Sequence, residues 1–152
     1  MAPRDDNYFL KTTMEYKKID NQFVIRIVRG EGIVEQLKIF CQKERVEGGF
    51  FFGLGAVDQV ELADYIVNEK KYLSQKFTGS FELTNITGSI GVEKELIVHA
   101  HATLSNIKMK AFAGHLVEAR VSGTVEIFLT ILPRLNKKFD EETGLKLFDL
   151  IK

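Results

Sequence analysis

Apolar and polar positions alternate with a period of two along most of the 152 residues and change to a helical period with conviction only once. In Gln22 to Val28, Phe23, Ile25 and Ile27 share one face, which predicts a strand. Met14 to Ile19 predicts the strand before it, and Asp20-Asn21 between them suits a tight turn, so the two form a hairpin. Arg26 lies opposite the apolar face, between Val24 and Val28, and reads as an ordinary strand cation. After the break at Arg29-Gly30-Glu31-Gly32, Ile33, Val34, Leu37, Phe40 and Cys41 recur at helical spacing through about Glu44. Glu31 and Glu35 suit the positive end of that helix.

Glu47 to Val57, EGGFFFGLGAV, is a nearly continuous apolar run and predicts a central strand buried on both faces. Its Gly53-x-Gly55 pair does not open a helix, which a phosphate loop requires; close backbone packing or a bulge accounts for it. Gln59 to Ile66 and Lys71 to Phe77 predict two further strands around a turn at Asn68-Glu69-Lys70. Asp64 falls on the apolar face of the first, as an edge residue or a polar group near a site. Between Phe81 and Ile90 the apolar parity changes, which predicts a bulge near Thr84 and Asn85. A strand over Glu95 to Leu104 follows the turn Val92-Glu93-Lys94, and the chain then crosses through Lys108, Met109 and Lys110 to a corner at Gly114-His115. Thr124 to Leu132 predicts a long strand near the sheet centre, ended by Pro133. In the tail, Arg134 to Lys152, Leu145, Phe148 and Ile151 can pack as a small terminal element. Many strands and one helix, without regular alternation, place the chain in the α+β class, and its length suits a single domain over residues 1–152.

All three histidines lie between Leu96 and Leu116. In an extended strand His99 and His101 share a face with Ile97 and Thr103, while Leu96, Val98, Ala100, Ala102 and Leu104 complete the apolar face without them. Two imidazoles two residues apart stand about 6.6 to 6.8 Å apart at Cα, a span that inward-leaning rings can close onto one ion. His115, after Gly114, is the third ligand candidate. Zinc on three nitrogens with a fourth position for water is the pattern of an open site; nickel, copper and iron also accept imidazole. The competing reading makes these hydrogen-bonded histidines at a strand surface or a subunit contact. Three neutral imidazoles compete with protons for the metal, so occupancy is expected to fall as pH drops through about 6.5.

Twenty-one basic and 21 acidic residues give zero formal charge, hence no overall field for nucleic acid or an anionic membrane. The single cysteine, Cys41, falls on the apolar side of the helix and reads as a buried reduced thiol, in keeping with a reducing compartment. MAPRDDNYFL lacks the apolar core of a secretory signal, and no apolar run approaches the roughly 20 residues of a membrane helix. A soluble cytoplasmic protein with no membrane partner is the expectation.

Gly53-Leu54-Gly55-Ala56, Gly79-Ser80-Phe81-Glu82-Leu83 with Thr87-Gly88-Ser89-Ile90, His99-Ala100-His101, Gly114-His115-Leu116 and Gly123-Thr124-Val125-Glu126-Ile127 occur in an order and spacing that matter together. With Arg29-Gly30-Glu31 and Glu142-Thr143-Gly144-Leu145, this pattern resembles the plants-and-prokaryotes conserved (PPC) domain in its stand-alone prokaryotic form, over nearly the whole chain. The resemblance implies an antiparallel sheet packed with one main helix, a homotrimer, and His99, His101 and His115 as the histidines that bind a metal, zinc first. In plants the domain accompanies AT-hook segments and tends to lack the histidines; this chain has the histidines and no Arg-Gly-Arg-Pro-like hook. The expected function is therefore a trimeric metal-binding domain of unassigned activity. A DNA-binding regulator is the first alternative, with Lys108, Lys110 and Arg120 as its cation patch, although a solvated face is the preferred reading of these. A zinc-dependent enzyme is the second, with Glu82 and Glu126 the first carboxylates to test for proton transfer.

Overall fold

The computed structural model describes residues 13–151, so the segment MAPRDDNYFL and Lys152 lie outside the described residues. β1 (Glu15–Ile19) and β2 (Gln22–Val28) form the expected antiparallel hairpin, with Asp20 at φ 54° taking the left-handed conformation of the turn. Arg26 pairs with Glu15 at 2.6 Å on the exposed side, as an ordinary strand cation does.

α1 (Ile33–Glu44) buries Ile33, Leu37, Phe40 and Cys41, the stripe its spacing predicts. The free N–H groups at its start are not met by a local cap. The Glu118 carboxylate, 84 residues from Val34, accepts from the backbone N–H of Val34 at 2.8 Å and of Glu35 at 3.0 Å. Glu31 instead accepts from the backbone N–H of Val28 and Met14, tying the turn before the helix to the first hairpin.

The remaining strands are β3 (Gly49–Ile66), β4 (Lys71–Val92), β5 (Leu96–Ser105), β6 (Ala111–Ile131), β7 (Lys137–Phe139) and β8 (Lys146–Phe148), with a 3-10 turn at Val67–Glu69 joining β3 to β4. The two strands expected over Glu47–Val57 and Gln59–Ile66 are thus one strand of 18 residues, and Lys71–Phe77 and Phe81–Ile90 belong to one of 22. Register shifts between Gly53 and Gly55 and between Val57 and Gln59 reset the alternation inside β3. The bulge expected near Thr84 is present as a shift between Leu83 and Asn85. At Gly55 a Cβ would run into the Thr124 carbonyl oxygen of β6, so both the close approach and the bulge expected of Gly53-x-Gly55 occur.

The main sheet has the order β1-β2-β6-β3-β4-β5 and is antiparallel throughout. β6 is the common partner: it pairs with β3 from His115 to Ile131, with β2 through Thr124–Thr130, and with β5 through Ala111–His115. The sheet therefore curls until β3, β4, β5 and β6 close on one another. Its inner face, with Phe23, Ile25, Phe51, Ile86, Leu104, Ile127 and Leu129, packs with α1 as one core. The outer face departs from the expectation of a strand buried on both sides. Phe50, Phe52 and Leu54 of β3 are 49%, 54% and 55% exposed, and Phe128 of β6, 44% exposed, stacks on Phe52. These strand residues are apolar on both faces, but the described residues of one chain supply a covering layer on one.

The tail forms the small β7–β8 hairpin, in which Phe148 is half-buried while Ile151 is exposed. The Val92 N–H donates to the Leu135 carbonyl at 2.9 Å, and Lys146 pairs with Glu93 at 3.1 Å. No helix among the described residues is long and apolar enough to cross a membrane.

Candidate metal centre

β5 divides as its alternation predicts: Ala100, Ala102 and Leu104 fill the inner face, and His99 and His101 stand on the outer one. His101 pairs directly with His115 near the start of β6, and His115 also pairs with Ala63 of β3. His115 thus sits where β6 passes from β5 to β3. The corner expected at Gly114-His115 is not there, because β6 runs straight through it. The turn comes earlier, where the Asn106 side-chain oxygen accepts from the backbone N–H of Lys108 and Lys110 and Met109 takes φ 60°. Gly114 supplies room rather than a left-handed bend: a Cβ there would lie 3.0 Å from the Ala63 carbonyl oxygen.

The three rings converge, with centroids 5.1 Å (His99–His101), 5.3 Å (His99–His115) and 5.6 Å (His101–His115) apart. One ligand nitrogen from each lies within 4.8 Å of the others. Nitrogens around one tetrahedral zinc at about 2.0–2.1 Å are about 3.4 Å apart, so binding an ion would draw the rings together by up to about 1.4 Å. The donor set fits a borderline divalent metal on three further grounds. His115 Nδ1 is buried without a hydrogen-bond partner, which a ring nitrogen seldom is. Burial, then Lys137, His115 and His101, pushes the His99 pKa down to about 4. Burial and His101 lower that of His115 as well, so both rings are neutral, as ligands must be.

Two flanking groups gave no signal in the sequence. Tyr72, from the start of β4, lies against His115 with ring centroids 4.8 Å apart, and Tyr65, beside it, donates its hydroxyl to the Thr143 carbonyl at 2.7 Å. Lys137 reaches the cluster from β7; nothing distinguishes it from Lys138 until the tail is folded back on the sheet.

The other sequence candidates lie elsewhere. Glu82 pairs with Ser105, four residues along β5 from His101, and Glu126 lies eleven residues along β6 from His115; both are exposed. Asp64 is exposed and pairs with Leu73, just past the last contact of β3 with β6. Arg120 does not join Lys108 and Lys110 in a free patch, because it makes a two-pronged bond to Asp58 at 2.8 and 2.9 Å. That guanidinium holds the Asp58 carboxyl below its usual range. Cys41 is buried as expected, its thiol pushed up to about 12 by burial, and belongs to the core rather than the cluster.

Solved structures share this architecture. A protein of Bacteroides thetaiotaomicron, named as a candidate DNA-binding protein, is 28% identical, with 91% of this chain and 98% of that one covered and a TM-score of 0.87. A plant- and prokaryote-conserved (PPC) protein of Pyrococcus horikoshii is 28% identical over 95% of this chain and 99% of that one, with a TM-score of 0.80. A metal-containing protein of Archaeoglobus fulgidus, 24% identical over 90% of this chain and 98% of that one, shares the fold at a TM-score of 0.79. No curated protein is similar enough to the chain to match it. The sequence profile of the Plants and Prokaryotes Conserved (PCC) domain matches residues 14–133, well over half of the 152, and the chain belongs to that family.

Proposed function

We propose that this chain binds a divalent transition metal, zinc first, through His99, His101 and His115, and that it works as a homotrimer. The observation that carries the metal is the convergence of three imidazoles, one nitrogen from each within 4.8 Å of the others. Three neutral ligands leave the metal its charge and an open position, which is the arrangement of a site that takes a further ligand. Elemental analysis of protein purified without a histidine tag tests this. About one metal per chain is expected in the parent, with near-complete loss in His99→Ala and His115→Ala. A metal-free parent that also takes up no zinc at pH 7.5 would end the reading.

The assembly rests on the exposed outer face, and its number three on the family resemblance. Phe52 stands in the row that runs through Thr87 to His101, two strands or about 10 Å from that histidine, and Phe128 is one strand farther along the same row. A second copy covering these rings would therefore come close to the metal. Sedimentation at micromolar concentration is expected to show a trimer for the parent and a smaller species for Phe52→Glu, because a charge placed among desolvated rings opposes association. A parent that sediments as a monomer removes the assembly.

DNA binding, the second reading, draws on the name of the Bacteroides relative. Zero formal charge and the Arg120–Asp58 pair weigh against it. Tight, salt-sensitive retardation of a mixed-sequence duplex would reverse this order.

A further inference from the structure

Lys137 is the one buried charged residue among the described residues, 8% exposed. Lys138 and Lys146, its neighbours in the tail hairpin, are paired with Asp149 and Glu93; the Lys137 ammonium has no carboxylate partner and sits 4.6 Å from the centre of the Phe148 ring. Its position is set by Gly91. A Cβ on that glycine would lie 3.0 Å from Lys137 Cε and 3.1 Å from Phe148 Cε1, so the missing side chain lets both pack down on the sheet. Gly91 pairs with Ile97, Ser89 with His99 and Thr87 with His101, three successive rows of one outer face without a bulge. Lys137 therefore covers the row next to His99, about 6.6–6.8 Å along the strands. A cation withdrawn from water without a counter-charge is costly unless an anion completes it.

We infer that Lys137 and the metal on His99, His101 and His115 together take the carboxylate of a small organic acid, held between the metal's open position and the Lys137 ammonium. This rests on the metal reading above. The charge favours an anion, and the donors favour a carboxylate over a phosphate. A lysine that binds phosphate acts as a point charge, and phosphate sites commonly add a helix N-terminus or guanidinium and backbone N–H donors to it. Here the only α-helix among the described residues has its N-terminus closed by the Glu118 carboxylate, and Arg120 is committed to Asp58. The rings of Tyr72, against His115, and Phe148, against Lys137, offer apolar walls to the rest of the acid.

Cobalt(II), which accepts the same imidazole nitrogens as zinc and absorbs in the visible, reports the open position. Acetate, inorganic phosphate and neutral acetamide would each be titrated at pH 7.5 into cobalt-loaded parent, Lys137→Met and Lys137→Arg, with cobalt uptake measured separately in each. Acetate is expected to shift the parent spectrum at lower concentration than phosphate, and acetamide to leave it unchanged. Lys137→Met, which keeps the packing on Phe148, should weaken acetate about tenfold or more with cobalt uptake unchanged, and Lys137→Arg should restore most of it. Equal acetate affinity in parent and Lys137→Met, with cobalt bound to both, overturns the role of Lys137 alone. Tighter phosphate than acetate overturns the carboxylate, and failure of the parent to bind cobalt overturns the metal reading and this inference together.

Discussion

Gly88→Ala should lower the stability of the protein by about 3 kcal/mol, the upper range for overpacking a filled core, and its melting temperature by about 6–12 °C for a chain of this size. Gly88 pairs with Phe51 on one side and Ala100 on the other, on the inner face. The absent side chain leaves the space into which the buried Phe51 ring extends: a Cβ would collide with Phe51 Cζ and with the His99 carbonyl oxygen. The ring could turn only into a core already packed, and the carbonyl is backbone, so neither can give way cheaply. Gly123→Ala is the matched control. Its Cβ would find only Ala56 Cβ at 3.5 Å, ordinary contact, and its effect should stay within about 0.5 kcal/mol. Thermal melts of the two variants decide this, and equal melting temperatures would refute it. Because the displaced carbonyl belongs to His99, Gly88→Ala should also weaken zinc uptake, which Gly123→Ala leaves alone.

Lowering the pH should release the metal only well below the ordinary histidine range, moving occupancy from nearly full to nearly none. A ligand imidazole competes with a proton in proportion to its own pKa. His99 is pushed down to about 4 and His115 is lowered too, so protons begin to win later than the value near 6.5 expected for unperturbed rings. The same displacement bears on the metal-free fold. Between about pH 6.5 and 4 the unfolded chain binds protons that folded His99 does not, so stability rises with pH across that window and falls as the solution is acidified through it. His99 remains partly exposed, and solvent moderates the effect. Zinc retention across a pH series and urea unfolding of the metal-free protein at pH 7.5 and 5 measure the two. Release centred above pH 6.5 would contradict the first, and greater stability at pH 5 than at 7.5 the second.

The pieces of the fold that are legible in the sequence are those whose period runs uninterrupted. The β1–β2 hairpin, the α1 stripe and the division of β5 into an alanine face and a histidine face all follow from local alternation. β3 reads as two strands because its register shifts at Gly53/Gly55 and Val57/Gln59 restart the alternation without ending the hydrogen-bonded ladder. Phe50, Phe52 and Leu54 read as buried because the sequence records that a residue is apolar and not whether anything covers it. At the candidate site, His99 and His101 are legible as neighbours from their spacing. His115 belongs with them through the register of β5 against β6, which no local pattern fixes. Glu118, the acceptor at the start of α1, and Lys137, beside His99, act across the fold, and their sequence surroundings carry no trace of it.

The place of β6 in the sheet also governs how the molecule comes into being. Gln22 pairs with Thr130, 108 residues later, and the whole of β2 has that strand as its inner neighbour. A ribosome adding about 5–20 residues per second needs roughly 5–20 s to make the intervening chain. For that time Phe23, Ile25 and Ile27 exist with β1 on one edge and no strand on the other. An apolar ribbon with an open edge is a template for unwanted pairing, so nascent chains halted before Ile131 should engage holdase chaperones strongly. Strand pairings that span most of the length slow the search for the native arrangement. Synthesis and folding of this protein are therefore largely sequential events rather than overlapping ones.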